Sequence, residues 1–329
     1  MSLNVSIPKF DPKKVLIFSL NNVVWFIFIV LMIGFSIFIK GFSSIENYRN
    51  ILYHSVFIGM LAIAEAIVLI SGNMDLSVES TAAGAAIISV WLVGASSTTS
   101  GLLLNSWLGI LIIIIAGGLV GAFNAFFILK LKINSFLVTL ATYVTIRGVA
   151  VLISKGYGMS ELPASFRFIN TVEFLTLPLM VFLLFFFYIL FEFVLRNTQF
   201  GRHVYVIGGN VSAAYNFGIK VNRVLFKVFV LSGIISAITG WLMSARVNGA
   251  NAGIGSGYLF EVLAAVVIGG VGLSGGYGSL VGVFAGSLIL SAIHNAINIS
   301  AISPFYTTVI RGGLIFIAIG LDSLKRLFK

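Results

Sequence analysis

The chain has 329 residues, of which 59% are hydrophobic and only 9% charged, with a formal net charge of +10 and no cysteine. A soluble domain is about a quarter charged, so an ordinary aqueous enzyme is excluded. The lack of cysteine removes disulfides, thiolate chemistry and cysteine-ligated metal centres. Residues 80–129 hold no Asp, Glu, Lys or Arg, nor do residues 262–310, whose one histidine is His294. Water does not tolerate such runs on a compact surface; a bilayer does, because one helical span needs about 20 apolar residues.

Charge-poor runs bounded by turn signals predict an all-α polytopic membrane protein of about ten transmembrane helices. A tail at 1–14 carries Lys9, Lys13 and Lys14 and precedes a first span at 15–39, too long for the apolar core of a signal peptide and read as an uncleaved anchor. Further spans are expected at 51–70, 81–94, 107–129, 136–153, 174–195, 225–245, 260–271, 279–297 and 305–321, followed by a tail at 322–329. Of these, 260–271 is short for a full crossing. The transmembrane domain is therefore residues 15–321, interrupted by an outer loop at 154–173 and an inner loop at 196–224. The runs are continuous rather than ten-residue alternations, which selects helices over barrel strands.

The basic excess has a topological meaning. With the amino terminus inside, thirteen Lys and Arg fall on inner segments and five on outer ones, with Arg147 and Arg311 inside spans. That bias predicts both termini in the cytoplasm and makes nucleic-acid binding the weak alternative.

The inner loop reads Arg196-Asn-Thr-Gln-Phe-Gly-Arg-His-Val-Tyr-Val-Ile-Gly-Gly-Asn210 and continues to Gly218-Ile219. Asn210 suits an N-cap and Gly218 a helix stop, which predicts a two-turn helix over 211–217, too short to stand alone. Small residues at Ala213 and Ala214 would let another protein approach; composition leaves a docked helix and a solvated connector equally open. A second glycine-rich run, Ala264 to Ser279, reads Ala-Ala-Val-Val-Ile-Gly-Gly-Val-Gly-Leu-Ser-Gly-Gly-Tyr-Gly-Ser, and Asp75-Leu-Ser-Val78 precedes the third span. Packing and a tight turn explain these glycines better than a phosphate cradle, since no basic residue follows. Gly72 to Ser77 echoes Gly270 to Ser274, and Thr145-Ile-Arg-Gly148 echoes Val309-Ile-Arg-Gly312, a faint internal pseudo-repeat.

Taken in order, the loop motif, the glycine-rich run, Asp75 to Val78, the segment Asn134 to Gly148, and Ser303-Pro-Phe with Leu321-Asp322 resemble the permease subunits of ribose-type, monosaccharide ABC importers. Asn73 and Glu79 stand where that family has glycines, and Glu65 where it is uncharged. The resemblance implies a second permease subunit, identical or homologous, cytoplasmic ABC ATPase subunits that bind ATP and magnesium, and an extracytoplasmic sugar-binding protein, in a prokaryotic inner membrane. It implies no cofactor in this chain, and makes the 211–217 helix the coupling element, with Gly201, Arg202, Gly208, Gly209, Asn210, Ala213, Ala214 and Gly218 as its residues. No G-x-x-x-x-G-K-[ST] occurs in the sequence, so this chain supplies no P-loop of that form.

Candidate residues for the pathway or its gate are Glu65, Asp75, Asn124, Arg147, Asn295 and Arg311. An arginine at the bilayer centre costs about 2.5–3.5 kcal/mol on insertion scales, so Arg147 and Arg311 need a carbonyl or a carboxylate, and Glu65 and Asp75 are the expected partners. Tying down a broken helix end is the plainer reading of these arginines, solute contact the sharper one. Asn124, Asn295 and Asn298 could line a polar path or bond between helices, and His294 could relay protons or sit satisfied in the core. No catalytic constellation or metal-ligand spacing stands out, so the chain is not expected to be an enzyme. The alternatives are importers of a nucleoside or other small polar solute, a proton-coupled secondary transporter using Glu65, Asp75 or His294, and, remotely, an intramembrane enzyme.

Overall fold

The computed structural model describes residues 23–94 and 101–300, together with Val309, Gly312, Gly313 and Phe316. The first half runs α1 (Val23–Phe38), α2 (Ile45–Ile70), α3 (Val78–Val93), α4 (Ser106–Lys130) and α5 (Ser135–Ser154). A small assembly follows, with β1 (Met159–Ser160), α6 (Ala164–Thr171) and the hairpin strands β2 (Glu173–Phe174) and β3 (Leu177–Pro178). The rest is α7 (Leu179–Asn197), α8 (Gln199–Gly209), α9 (Val211–Asn216), α10 (Val221–Val247), β4 (Gly249–Ala250), α11 (Tyr258–Ile268) and α12 (Leu280–Ile299).

Six helices, α2, α4, α5, α7, α10 and α12, are long and apolar enough to cross a membrane. Each of the first nine expected spans has a helix at its place. Most of the tenth, including Arg311, lies outside the described residues, as do residues 15–22 and both tails. Of the helices at expected spans with both ends among the described residues, two are short for their span: α3 has 16 residues and α11 has 11, about 24 and 17 Å of helix. Each adjoins a partly buried non-helical segment, 71–77 between α2 and α3 and 269–279 between α11 and α12. Irregular backbone at this depth is tolerated only where protein covers it and meets its hydrogen bonds.

Three expectations are corrected. The span expected from 174 starts at Leu179, because Leu175 and Thr176 take positive φ and turn the apolar run into the β2–β3 hairpin, with Pro178 as the N-cap. The outer loop is partly ordered: α6 packs its Phe166 against Trp241 of α10, and β1 pairs antiparallel with β4 through Met159 with Ala250 and Ser160 with Gly249. The inner loop carries the unforeseen α8 as well as the expected short helix.

The helices α2, α10 and α12 are mostly buried, whereas α4, α5 and α7 present most of their surface outward. Since lipid gives apolar helices no hydrophobic drive to associate, close packing must hold them. On α4 and α10 that closeness comes from glycine. A Cβ on Gly121 would overlap the Phe229 carbonyl, and one on Gly233 the Gly117 carbonyl. On α12 a Cβ at Gly286 would meet the Ala265 carbonyl of α11 in the same way. We expect Gly121→Leu or Gly233→Leu to cost about 1–3 kcal/mol of stability. The check is the melting midpoint in detergent by fluorescence-detected size exclusion. Gly148→Leu, at a position with nothing within 4 Å, should leave the midpoint unchanged.

Candidate functional site

The segment from α7 to α10 folds as a wedge against both helix breaks. Thr198 caps α8 by accepting the Gly201 N–H at 3.2 Å. Asn210 ends α8 and starts α9, its Oδ1 accepting the Ala213 N–H at 2.9 Å. Gly218, at φ +74°, turns the chain away after α9. The cap and stop read from the sequence are both present, and α9 covers Val211–Asn216.

The wedge is held at short range. A Cβ on Gly208 would overlap the Ile70 carbonyl at the end of α2, and Gly276 donates its N–H to that carbonyl at 2.9 Å. Gly275 lies so near Gly72 that a Cβ would sit 2.6 Å from the Gly72 Cα. Tyr205 of α8 donates its hydroxyl to the Gly278 carbonyl at 2.8 Å. Burial, with a contribution from Glu192 that Arg196 opposes, pushes this hydroxyl above its ordinary pKa, so it stays a donor. Glu192 of α7 accepts the Leu280 N–H at 2.9 Å at the start of α12 and pairs with Arg196. The ends of α2 and α12 are thus tied to α7 and α8.

The predicted coupling residues divide by surroundings. Gly201 and Gly208 are packing positions where a side chain would strike backbone, whereas Arg202, Gly209 and Gly218 are exposed. The expectation for Ala214 is corrected: it is fully buried against its own chain, and Ala213 is partly covered. The face that α9 and its end present outward is Val211, Tyr215 and Phe217, the last 80% exposed.

A buried polar cluster lies at the first break. Asp75 Oδ1 accepts the Ser77 N–H at 3.0 Å and the Ser77 hydroxyl at 2.5 Å, and Oδ2 accepts the Ser232 hydroxyl of α10 at 2.7 Å. Asn124 of α4 donates to Ser77 Oγ at 2.9 Å and accepts from Thr142 of α5 at 2.6 Å. Glu65 Oε1 accepts the Asp75 N–H at 3.4 Å, and its Oε2 has no partner among the described residues. This cluster joins α2, α3, α4, α5 and α10 within one chain.

Arg147 does not pair with Glu65 or Asp75. Its ion-pair partner is Glu79 of α3, and its Nη1 donates to the carbonyls of Ala252 and Ile254 at 2.9 and 3.0 Å. Glu79 Oε2 also accepts the Leu259 N–H at 2.7 Å, in the first turn of α11. A carboxylate there meets an orphan N–H and the positive end of the helix dipole. Arg147 therefore ties down helix ends, the plainer of its two readings.

The remaining candidates lie apart. Asn295 of α12 is buried and bonds to Asn47 of α2, a clamp between helices; Asn298 is exposed. His294 stacks 5.4 Å from the ring of His54, and Arg246 lies 4.0 Å over the ring of Tyr53. Among the described residues no group of three His, Asp or Glu side chains is placed to hold a metal ion. Sequence reasoning missed Ser77, Ser232, Thr142, Asn47, Glu192 and Tyr205. The odd Glu79, in a glycine position of the family motif, was the one visible signal for the Arg147 partner.

Residues 47–319 match the family described as the permease component of the branched-chain amino acid transport system. The chain belongs to that family. It is 35% identical to the L-arabinose transport system permease of Escherichia coli K12, over 92% of this chain and 90% of that one. It is 33% identical to the ribose import permease of Bacillus subtilis, over 90% of each, and 29% identical to that of Haemophilus influenzae, over 91% and 92%. The resemblance to sugar permeases read from the motifs is borne out. No solved structure matches the chain. As a permease it is a multi-pass membrane protein, with a transport role rather than an enzymatic one.

Removing one partner of a buried ion pair leaves an uncompensated charge. We expect Arg147→Gln to destabilise the permease by about 3–5 kcal/mol, and the double variant Glu79→Gln with Arg147→Gln to recover part of the loss. Thermal melting of the purified permease checks both values.

Proposed function

We propose that this chain is the transmembrane subunit of an ATP-driven, binding-protein-dependent importer of a monosaccharide. In this reading two permease subunits enclose the pathway, a cytoplasmic ATPase drives it and a sugar-binding protein delivers the solute from outside. The arabinose and ribose permeases among its relatives support the solute class. The distribution of Lys and Arg supports a prokaryotic inner membrane orientation with α8, α9 and both termini in the cytoplasm.

The observation that carries the mechanism is the direct backbone junction between α8 and the two helix breaks. A partner that grips Val211, Tyr215 and Phe217 would move α9 and, through the shared Asn210, α8. Because Gly208 abuts Ile70 and Tyr205 holds Gly278, that motion reaches segments 71–77 and 269–279 with no soft side chain between. Packed interfaces of this kind shift between discrete arrangements rather than deforming continuously. Asp75, Ser77, Ser232 and Asn124 then act as a latch on the first break, with Glu65 beside them. They gate the pathway from within one subunit and do not line an open channel.

The test is reconstitution with the ATPase and the binding protein. Phe217→Asp should lower uptake and solute-stimulated ATP hydrolysis by about tenfold or more, an effect of roughly 1.4 kcal/mol per decade on the docking contact, while the permease stays in the membrane. Full stimulation in that variant would remove the coupling role. Uptake that persists without ATP and collapses with an uncoupler would replace this reading with a proton-driven one.

A further inference from the structure

At the same end of the bundle as α9, a cleft of about 530 Å³ opens between α8 and the start of α10. Its walls carry His203 on α8 and Lys220, Arg223 and Lys227 at the head of α10, and no acidic side chain lines it. The last three fall at i, i+3 and i+7, so they share one face of the helix. All three are exposed, and none takes part in an ion pair among the described residues. Lys220 is the N-cap of α10 and makes no side-chain cap, so the positive end of the helix dipole adds to the same field.

The spacing along α10 distinguishes this face from a scatter of inward-side charges. Lys227 lies six residues beyond Val221, about 9 Å into a helix long enough to cross the bilayer. A lysine there reaches back along its own stem toward the headgroup layer. The aromatic side chains Phe217 and Phe226, 80% and 44% exposed, stand beside it. The face is therefore basic over the depth of a headgroup and apolar at its flank. A soluble partner would meet the tip of α9 but not Lys227.

We propose that this cleft binds the phosphate of an anionic phospholipid, with Arg223 and Lys227 as its main ligands and His203 and Lys220 at its rim. The site shares Phe217 with the α9 face assigned to the ATPase and extends from it along α10 to Lys227. It would couple transport to the anionic lipid content of the leaflet, since a bound headgroup bridges α8 to α10. The inference rests on the orientation proposed above for its physiological leaflet, but lipid binding in a two-sided disc does not.

The experiment uses the whole permease in nanodiscs of phosphatidylcholine doped with phosphatidylglycerol, followed by native mass spectrometry of retained lipid. The expected result is preferential retention of phosphatidylglycerol, with Arg223→Gln plus Lys227→Gln reducing the preference about tenfold at an unchanged melting midpoint. Lys155→Gln, a lysine outside the cleft, should leave it intact. Equal retention in the double variant would overturn the proposal, as would displacement of the lipid by millimolar inorganic phosphate, which would assign the site to a soluble anion. Loss of ATPase association in the double variant, with phosphatidylglycerol retention unchanged, would also overturn it and assign the cleft to the protein partner. Orientation is read separately by labelling Gln199→Cys in this otherwise cysteine-free chain with an impermeant maleimide. Labelling from outside the cell would sink the proposed function and leave the lipid result standing.

Discussion

The carbonyl of Ile70 is the point on which the architecture turns. It ends a 26-residue helix inside the protein, where an unmet carbonyl would be costly, and it receives the Gly276 N–H at 2.9 Å. Gly208 of α8 presses on it beside that hydrogen bond. Three segments far apart in sequence thus meet through backbone alone, and a side chain on either glycine would force them apart. The short α3 and α11 follow from this: each stops or starts where the chain must leave the helix to make the junction. The charged pair Arg196–Glu192 and the Leu280 cap fasten the rim of the same contact.

A second constraint is the treatment of charge. Glu79 and Arg147 neutralise each other, and what remains of their hydrogen-bonding capacity is spent on the α11 N-terminus and on two carbonyls of the loop before it. Asp75 is instead met by three donors, two from Ser77 and one from Ser232, with no cation among the described residues. One carboxylate therefore joins a helix start to a neighbouring helix, and the other is held at a break by two hydroxyls and a backbone N–H. These are different mechanical properties built from the same functional group.

Much of this was legible in the sequence where the physics is local. Continuous hydropathy placed the helices, and Asn210 and Gly218 marked the ends of α9 because capping is settled by a few neighbouring residues. The helix α8 was not legible: Gly201, Gly208 and Gly209 lower its intrinsic propensity, and it is the packing on Ile70 and Gly276 that both needs those glycines and offsets their cost. The Glu79–Arg147 pair escaped because it depends on the register between α3 and α5, which no window of sequence contains; Glu65 and Asp75 looked like partners only because a motif set them in view. Ala214 looked available for the converse reason. Its size suits close approach, but the neighbour it approaches belongs to its own chain.

Asp75 and Glu79, both buried, find their donors within the one chain, whereas Glu65 Oε2 has none among the described residues. In the proposed pair of subunits these two carboxylates need exchange no bond across the seam, so that their hydrogen bonds would travel with each half as the halves part and rejoin.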